Sequence, residues 1–449
     1  MSADHVPGLS TVGTPGRTLL LAVLRRDAAP AEWWLALSRQ VDWLELLRDA
    51  GPQIVPYFGF ALASTPCIAL LPREIRALVE QQRRHCAATY LRQRIATRAA
   101  SDALSRLGIG FVALKGSALR HLAYPDPTIR PMSDVDLWIE PGRLHEAVHL
   151  LRGEGWRGLN GGQAEGPGVL TEGSRMLVHP SVRMVVEFHD PPESLWPLPG
   201  RETGAMWTRA RPAHLGGLTM RVLDPADMVL HLCMNMAKDR YKMGPRALLD
   251  LQLAVERWRD VIDWRALALR CESMGVLTRV YLALRVAHDV LAAPVPQIFF
   301  DSVDPPAHLQ EMCALAVVST LDAVSYGLPM YAAGIALPRS TSERLTRLAK
   351  RLTVYYLPRE PGAWRSPARA VADSLSRLAF DVFVKGARDR RFFTQLLFDR
   401  KRLRRGVELE RSRSRLVSLM DDSERIHHGL RSPSVAGRGS AATVPPLPS

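Results

Sequence analysis

The sequence predicts an α+β protein that is mostly α, with one small α/β unit carrying a mixed sheet between helical N- and C-terminal regions. Three observations predict it. Aromatic residues make up only 7% of the 449 positions while Ala, Leu and Arg are plentiful, a bias toward helix formers over sheet formers. Apolar residues recur at helical spacing along most of the chain. The exception is a stretch of about eighty residues beginning near Ile109, where short glycine-bounded apolar runs and strict alternation take over.

Hydrophobic types at 47% and charged types at 23% are the composition of a globular chain, long enough for two or three cored units. Residues 1–100 read as a helical N-terminal region, with Trp34, Leu35 and Leu37, then Val41, Leu44, Leu46 and Leu47, on helical faces. Pro and Gly interrupt it at 51–56 and 65–72, and its last helix, Glu80 to Leu107, stops at Gly108. Residues 101–225 form the α/β core. Ile109 to Leu114 is a short apolar strand bounded by Gly108 and Gly116, and a helix is expected to begin near Ser117.

Farther along, Val135, Leu137 and Ile139 alternate with Asp134, Asp136 and Trp138, a second strand. A helix from Pro141 to about Gly153 is expected next, with Pro at its first position. Two further strands are expected over Val169 to Val178 and Val182 to His189. Helical periodicity returns after Pro225 in Met228 to Met236, Arg246 to Trp258, Leu277 to Leu291 and Pro367 to Arg405. These make residues 226–415 a helical C-terminal region with a basic final helix. Residues 416–449 are expected to be largely disordered, Ser432 to Ser449 being mostly Ser, Pro, Ala and Gly.

Cys67, Cys86, Cys233, Cys271 and Cys313 form no CxxC pair and have no His at metal spacing beside them, which argues against a disulfide scaffold or a zinc finger. They read as small buried hydrophobes in a reducing compartment. Leu19 to Leu24 is too short for the apolar core of a signal peptide, and Ala314 to Pro338 is broken by Asp322, Gly327, Pro329 and Gly334. A soluble cytoplasmic protein with no membrane partner is expected. The net charge of +14 raises the question of nucleic acid, and between Lys385 and Arg415 twelve Lys/Arg stand against four Asp/Glu. Phe392, Phe393, Leu396, Leu397 and Leu403 run through that segment as one apolar stripe, so a solvated amphipathic face is favoured over a nucleic-acid contact.

The chemistry is concentrated in two runs, Leu114-Lys-Gly-Ser-Ala118 and Arg130-Pro-Met-Ser-Asp-Val-Asp-Leu-Trp-Ile139. Asp134 and Asp136 are two apart on a strand, so they project side by side, and adjacent carboxylates repel unless a cation lies between them. Mg²⁺ takes oxygen ligands of this kind together with phosphates and water. Gly116 permits close backbone approach, and the helix start near Ser117 offers free N–H groups and a positive dipole end to phosphates. Lys115 and Arg130 are candidate phosphate contacts. A third carboxylate is expected from a neighbouring strand, either Glu187 within Val185-Val-Glu-Phe-His189 or, less favoured, Asp190 before Pro191. His189 reads as a core histidine or a partner behind the ligands. Asp250 closes an apolar patch and needs a partner, which Arg246 one turn earlier supplies.

A Gly-Ser turn, Asp-x-Asp on a strand and a later strand with one acidic residue together resemble the DNA polymerase β-like nucleotidyltransferase superfamily. Within it, Tyr124-Pro-Asp, Arg130 to Leu137, Glu187-Phe-His189, the Leu-His-Leu-Cys233 helix, Leu248-Leu-Asp250 and Asp263-Trp264 look like the uncharacterised bacterial nucleotidyltransferase branch, over about residues 85–296. The resemblance implies that Gly116 and Ser117 receive the nucleotide and that Asp134, Asp136 and Glu187 hold Mg²⁺, in a two-metal site. It also implies transfer of an NMP from an NTP, ATP being the expected donor, to an acceptor it does not specify. The spacing of seventeen residues from Ser117 to Asp134, with Pro125, Pro127 and Pro131 between, departs from the wider superfamily and suggests a longer loop. Three other readings remain: a non-catalytic nucleotide- or partner-binding descendant, a nucleic-acid binder working through the basic helix, and transfer of a terminal phosphoryl group.

Overall fold

The computed structural model describes residues 13–158, 174–322 and 400–427, and it is mostly helical around a mixed seven-stranded sheet. The N-terminal region begins with α1 (Pro15–Arg25), capped by the Thr14 hydroxyl, which accepts the Arg17 N–H at 3.3 Å. Its Leu19 to Leu24 stretch is wholly buried. Helices α2 (Ala31–Arg39), α3 (Trp43–Ala50) and α4 (Val55–Leu62) pack around it. The 34-residue α5 (Arg73–Arg106) starts directly after Pro72, about two turns earlier than Glu80, and stops just before Gly108, whose φ of 62° only glycine adopts freely.

The sheet follows from β1 (Phe111–Ala113), β2 (Asp134–Ile139), β3 (Arg157–Gly158), β4 (Ser174–Val178), β5 (Val185–His189), β6 (Arg211–Leu215) and β7 (Leu218–Val222), in the order β3-β4-β5-β2-β1-β7-β6. The pairs β2·β5 and β1·β7 are parallel and the others antiparallel. Between β1 and β2 lies α6 (Lys115–Leu122), and α7 (Leu144–Gly153) follows β2. Val135 and Leu137, with Val186 and Phe188 of β5, are buried on one sheet face, on the side where α5 contributes Gln93 and Thr97 to a shared cavity wall.

Several elements differ from the sequence reading. Helix α7 begins at Leu144 and not at Pro141, because Gly142 stands at φ 81° and gives its N–H to Asp190 Oδ2 at 2.7 Å. The β6-β7 hairpin was not anticipated, although Leu215-Gly-Gly-Leu218 is a turn signal: Gly216 and Gly217 stand at φ 57° and 84°. Strand β5 starts three residues later than Val182, after Arg183 turns the chain at φ 56°. The first residues of the expected strand over 169–178 lie outside the described residues, as do 367–399 with Phe392, Phe393, Leu396 and Leu397.

Helix α8 (Gly200–Arg209) precedes the hairpin within the α/β unit, and the C-terminal region comprises α9 (Pro225–Lys238), α10 (Pro245–Trp258), α11 (Trp264–Ser273), α12 (Leu277–Leu291), α13 (Gln297–Asp301), α14 (Leu309–Leu321) and α15 (Arg400–His427). A tail beginning at 416 is overturned for its first twelve residues: α15 runs through them, with Leu416, Leu419 and Met420 buried against α14 and α12. Residues 428–449 lie outside the described part. One apolar cluster joins Leu19, Leu137, Leu284 and Met420. The five cysteines are free, all but the half-buried Cys313 fully buried. Among the described residues no helix is long and apolar enough to cross a membrane.

Candidate active site

The parallel register of β2 and β5 sets Asp136 opposite Glu187 and Trp138 opposite His189. Since side chains alternate along a strand, Asp134, Asp136, Glu187 and His189 project from the face opposite Val135 and Phe188. Asp136 is 6% exposed and held from three sides. Lys115 Nζ lies 2.8 Å and His189 Nε2 3.1 Å from its Oδ1, and its own N–H donates to Ser117 Oγ at 2.9 Å. Burial alone would raise the Asp136 pKa, but Lys115 and His189 outweigh it and hold the carboxyl far below the usual carboxylate range. Burial likewise works against the Lys115 ammonium, and Asp136 overrides it upward.

Asp134 has the opposite balance. Burial first, and then the neighbouring Asp136 charge, push its pKa up, while Lys115 and the Ser133 hydroxyl, 3.1 Å away, offset this only in part. A carboxylate in that position is one whose ionised form a cation would favour. Ligating atoms of Asp136, Glu187 and His189 all lie within 4.8 Å of one another, the one such group among the described residues. His189 Nδ1 is buried, 3.7 Å from Glu187 Oε1, and has no hydrogen-bond partner. Two carboxylates and an orphaned imidazole nitrogen, with Asp134 alongside on the same face, fit a divalent cation.

A family model described as an uncharacterised nucleotidyltransferase matches residues 39–292, more than half of the chain and the whole of this site. The chain belongs to this nucleotidyltransferase family. No curated protein and no solved structure matches it. The match runs from the end of α2 through α12, so the helices on both sides of the sheet belong to the unit shared with the family, and α15 lies beyond it.

The remaining residues expected at the site are all found near it, in differing roles. Helix α6 starts at Lys115, which takes a left-handed φ of 43°, and no side chain caps its N-terminus. Ser117 is the third residue of that helix; its hydroxyl anchors α6 to β2 through the Asp136 N–H, and its own N–H is taken by Leu114 O at 2.9 Å. Arg130 is 3% exposed and grips Asp250 of α10 with two bonds, Nε to Oδ1 at 2.8 Å and Nη2 to Oδ2 at 2.7 Å. The Tyr124 hydroxyl donates to Asp250 Oδ1 at 2.6 Å, and the anticipated Arg246 is 3.3 Å from Oδ2. Arg130 and Arg246 together overcome the effect of burial and hold the Asp250 carboxyl below its ordinary value. Asp190, the weaker candidate for third acid, receives Gly142 N–H outside the cluster.

Two histidines matter more than the sequence reading gave them. His189 is inside the ligand cluster, and the signal for it was present: Glu187 and His189 are two apart on a strand, the spacing that joins Asp134 to Asp136. His231 of α9 is fully buried, with Nδ1 3.2 Å from Ser194 Oγ, and burial followed by the nearby Lys115 charge lowers its pKa to about 3. No local pattern in the sequence links α9 to β2.

Proposed function

We propose that the protein is a metal-dependent nucleotidyltransferase of the polymerase β-like type, moving a nucleoside monophosphate from an NTP, with ATP as the donor, to a hydroxyl or other nucleophilic acceptor. The observation that carries this reading is the shared face of Asp134, Asp136 and Glu187 on adjacent parallel strands, beside the uncapped start of α6, in a chain of a nucleotidyltransferase family. Asp134, Asp136 and Glu187 would hold Mg²⁺, whose chemistry when bound is to neutralise charge building on the transferred phosphoryl oxygens and to acidify the acceptor hydroxyl.

The protein's own groups account for the rest. Lys115 keeps Asp136 ionised in the resting site and, being only half-buried, can turn from the carboxylate to a phosphate oxygen. Glu187, whose side chain is 16% exposed against 8% for the side chain of Asp136, would receive the acceptor's proton. As the acceptor oxygen bonds to the α-phosphorus, the bond from that phosphorus to the β-phosphate bridging oxygen breaks, and pyrophosphate leaves. The α6 N–H groups favour the charge on the phosphates throughout. The Arg130–Asp250 pair ties the loop before β2 to the helical region, which would close over the cleft and present the acceptor.

Nucleic acid is not the favoured partner. On α15, Arg413 is 2% exposed and bound to Ser319 and Glu410, while the exposed Arg415 and Arg405 pair with Glu311 and Asp322, so part of the positive charge is already met by the protein's own groups. The test is a titration of each NTP, with and without Mg²⁺, against the heat stability of wild type and of Asp134→Ala/Asp136→Ala. A nucleotide-specific, Mg²⁺-dependent rise that the double variant loses is expected. No rise with any nucleotide would favour a non-catalytic role.

A further inference from the structure

The cluster around Asp136 contains a nitrogen that no carboxylate chemistry uses. An ionised carboxylate only accepts hydrogen bonds, so the 3.1 Å contact between His189 Nε2 and Asp136 Oδ1 is a hydrogen bond only if Nε2 carries the proton. In a neutral ring Nδ1 is then a bare lone pair. It faces Glu187 Oε1, another acceptor, across 3.7 Å, with His189 only 4% exposed and no protein donor reaching Nδ1. Two acceptors facing each other in a buried site are unfavourable, and a cation between them removes the conflict. Metal–nitrogen and metal–oxygen bonds of about 2.0–2.2 Å span such a gap.

We propose that His189 ligates the metal through Nδ1, and that the site it forms with Glu187, beside Asp136, takes a first-row transition cation of the Mn²⁺ class in preference to Mg²⁺. Mg²⁺ takes oxygen ligands almost to the exclusion of nitrogen, whereas imidazole suits the transition ions. Asp134, outside the 4.8 Å group but on the same face, is left free to hold a second, oxygen-bound ion with the phosphates. This rests on the metal-site reading above and adds to it the identity of one ligand and the class of ion.

The test uses the full chain, stripped with a chelator and loaded with less than one equivalent of Mn²⁺. Pulsed electron paramagnetic resonance is expected to show ¹⁴N modulation from a directly bound imidazole, absent in His189→Gln. Mn²⁺ displacement by Mg²⁺ is read in parallel, and the wild-type preference for Mn²⁺ is expected to fall on the order of tenfold in His189→Gln. Should that variant fail to fold, the wild-type ¹⁴N signal decides by itself. Bound Mn²⁺ without ¹⁴N modulation overturns the proposal, makes His189 an imidazolium bridging the two carboxylates, and leaves the wider metal-site reading intact. Absence of Mn²⁺ binding, with or without NTP, overturns both.

Discussion

Arg130 lies directly over Gly116: a Cβ built on that glycine would stand 1.8 Å from Arg130 Nη1 and 2.5 Å from Cζ. The open space that a glycine at a strand–helix turn provides is here filled by the protein's own guanidinium, itself locked to Asp250. A side chain at 116 therefore meets a rigid, buried neighbour that cannot swing aside without breaking an ion pair.

Gly116→Ala is accordingly expected to lower the stability of the nucleotide-free protein by about 1–3 kcal/mol through overpacking. The loss would approach the roughly 3–5 kcal/mol of a broken buried pair if Arg130 leaves Asp250 altogether. Urea denaturation without nucleotide measures it. Unchanged stability with lost nucleotide binding would mean that the glycine serves phosphate approach alone.

Lys115 stands where a metal's charge would be felt most, 2.8 Å from Asp136 Oδ1 and within electrostatic reach of Asp134 and Glu187. Lys115→Met removes that competing cation. Divalent-metal affinity in the absence of nucleotide should rise on the order of tenfold, while affinity for the NTP falls, since one positive charge near the phosphates is gone. Calorimetric titration with metal alone and then with NTP separates the two effects. A drop in metal affinity would show that Lys115 positions Asp136 more than it competes.

Acid stability follows from Asp136 and Asp250, both held below the ordinary carboxylate range of about 3.9. A group depressed in the folded state binds fewer protons there than in the unfolded chain. The stability it adds is complete above the unfolded value and is lost as pH falls through the folded one. Asp134, shifted upward by burial and Asp136, works in the reverse sense, costing stability above the unfolded value. The melting temperature should therefore decline steeply as pH is lowered from about 5 toward 3, less steeply in Asp136→Asn. Equal slopes in the two proteins would remove Asp136 from the account.

Leu416 is fully buried on α15, a segment whose polar contacts Ser423–Thr278, Arg279–Asp421 and Arg279–Glu424 also fasten it to α12. Leu416→Ala should cost about 2–5 kcal/mol in chemical denaturation, the range for emptying a core leucine site. Truncation before Lys385 removes this packing together with the basic run, so loss of function on truncation does not by itself implicate nucleic acid. A Leu416→Ala protein as stable as wild type would show α15 to be dispensable to the fold.

The sequence determined what depends on neighbours a few residues away. The alternation in Asp134 to Ile139 fixes two acids on one face because the period of a strand is two, and the helical spacing of Leu144, Val148 and Leu151 fixes a buried helix face. Arg246 and Asp250 were readable as partners because one helical turn separates them. Only the tertiary structure decided which distant groups those faces meet. The β2–β5 register, not the composition of either strand, sets Glu187 against Asp136 and brings His189 into the cluster. The route of the loop before β2 carries Arg130 across Gly116 to α10, 120 residues away in sequence, and the α14–α15 contact buries Arg413, Leu416, Leu419 and Met420. Strand register, loop course and helix docking depend on the burial of surfaces far apart along the chain, and no local spacing encodes that sum.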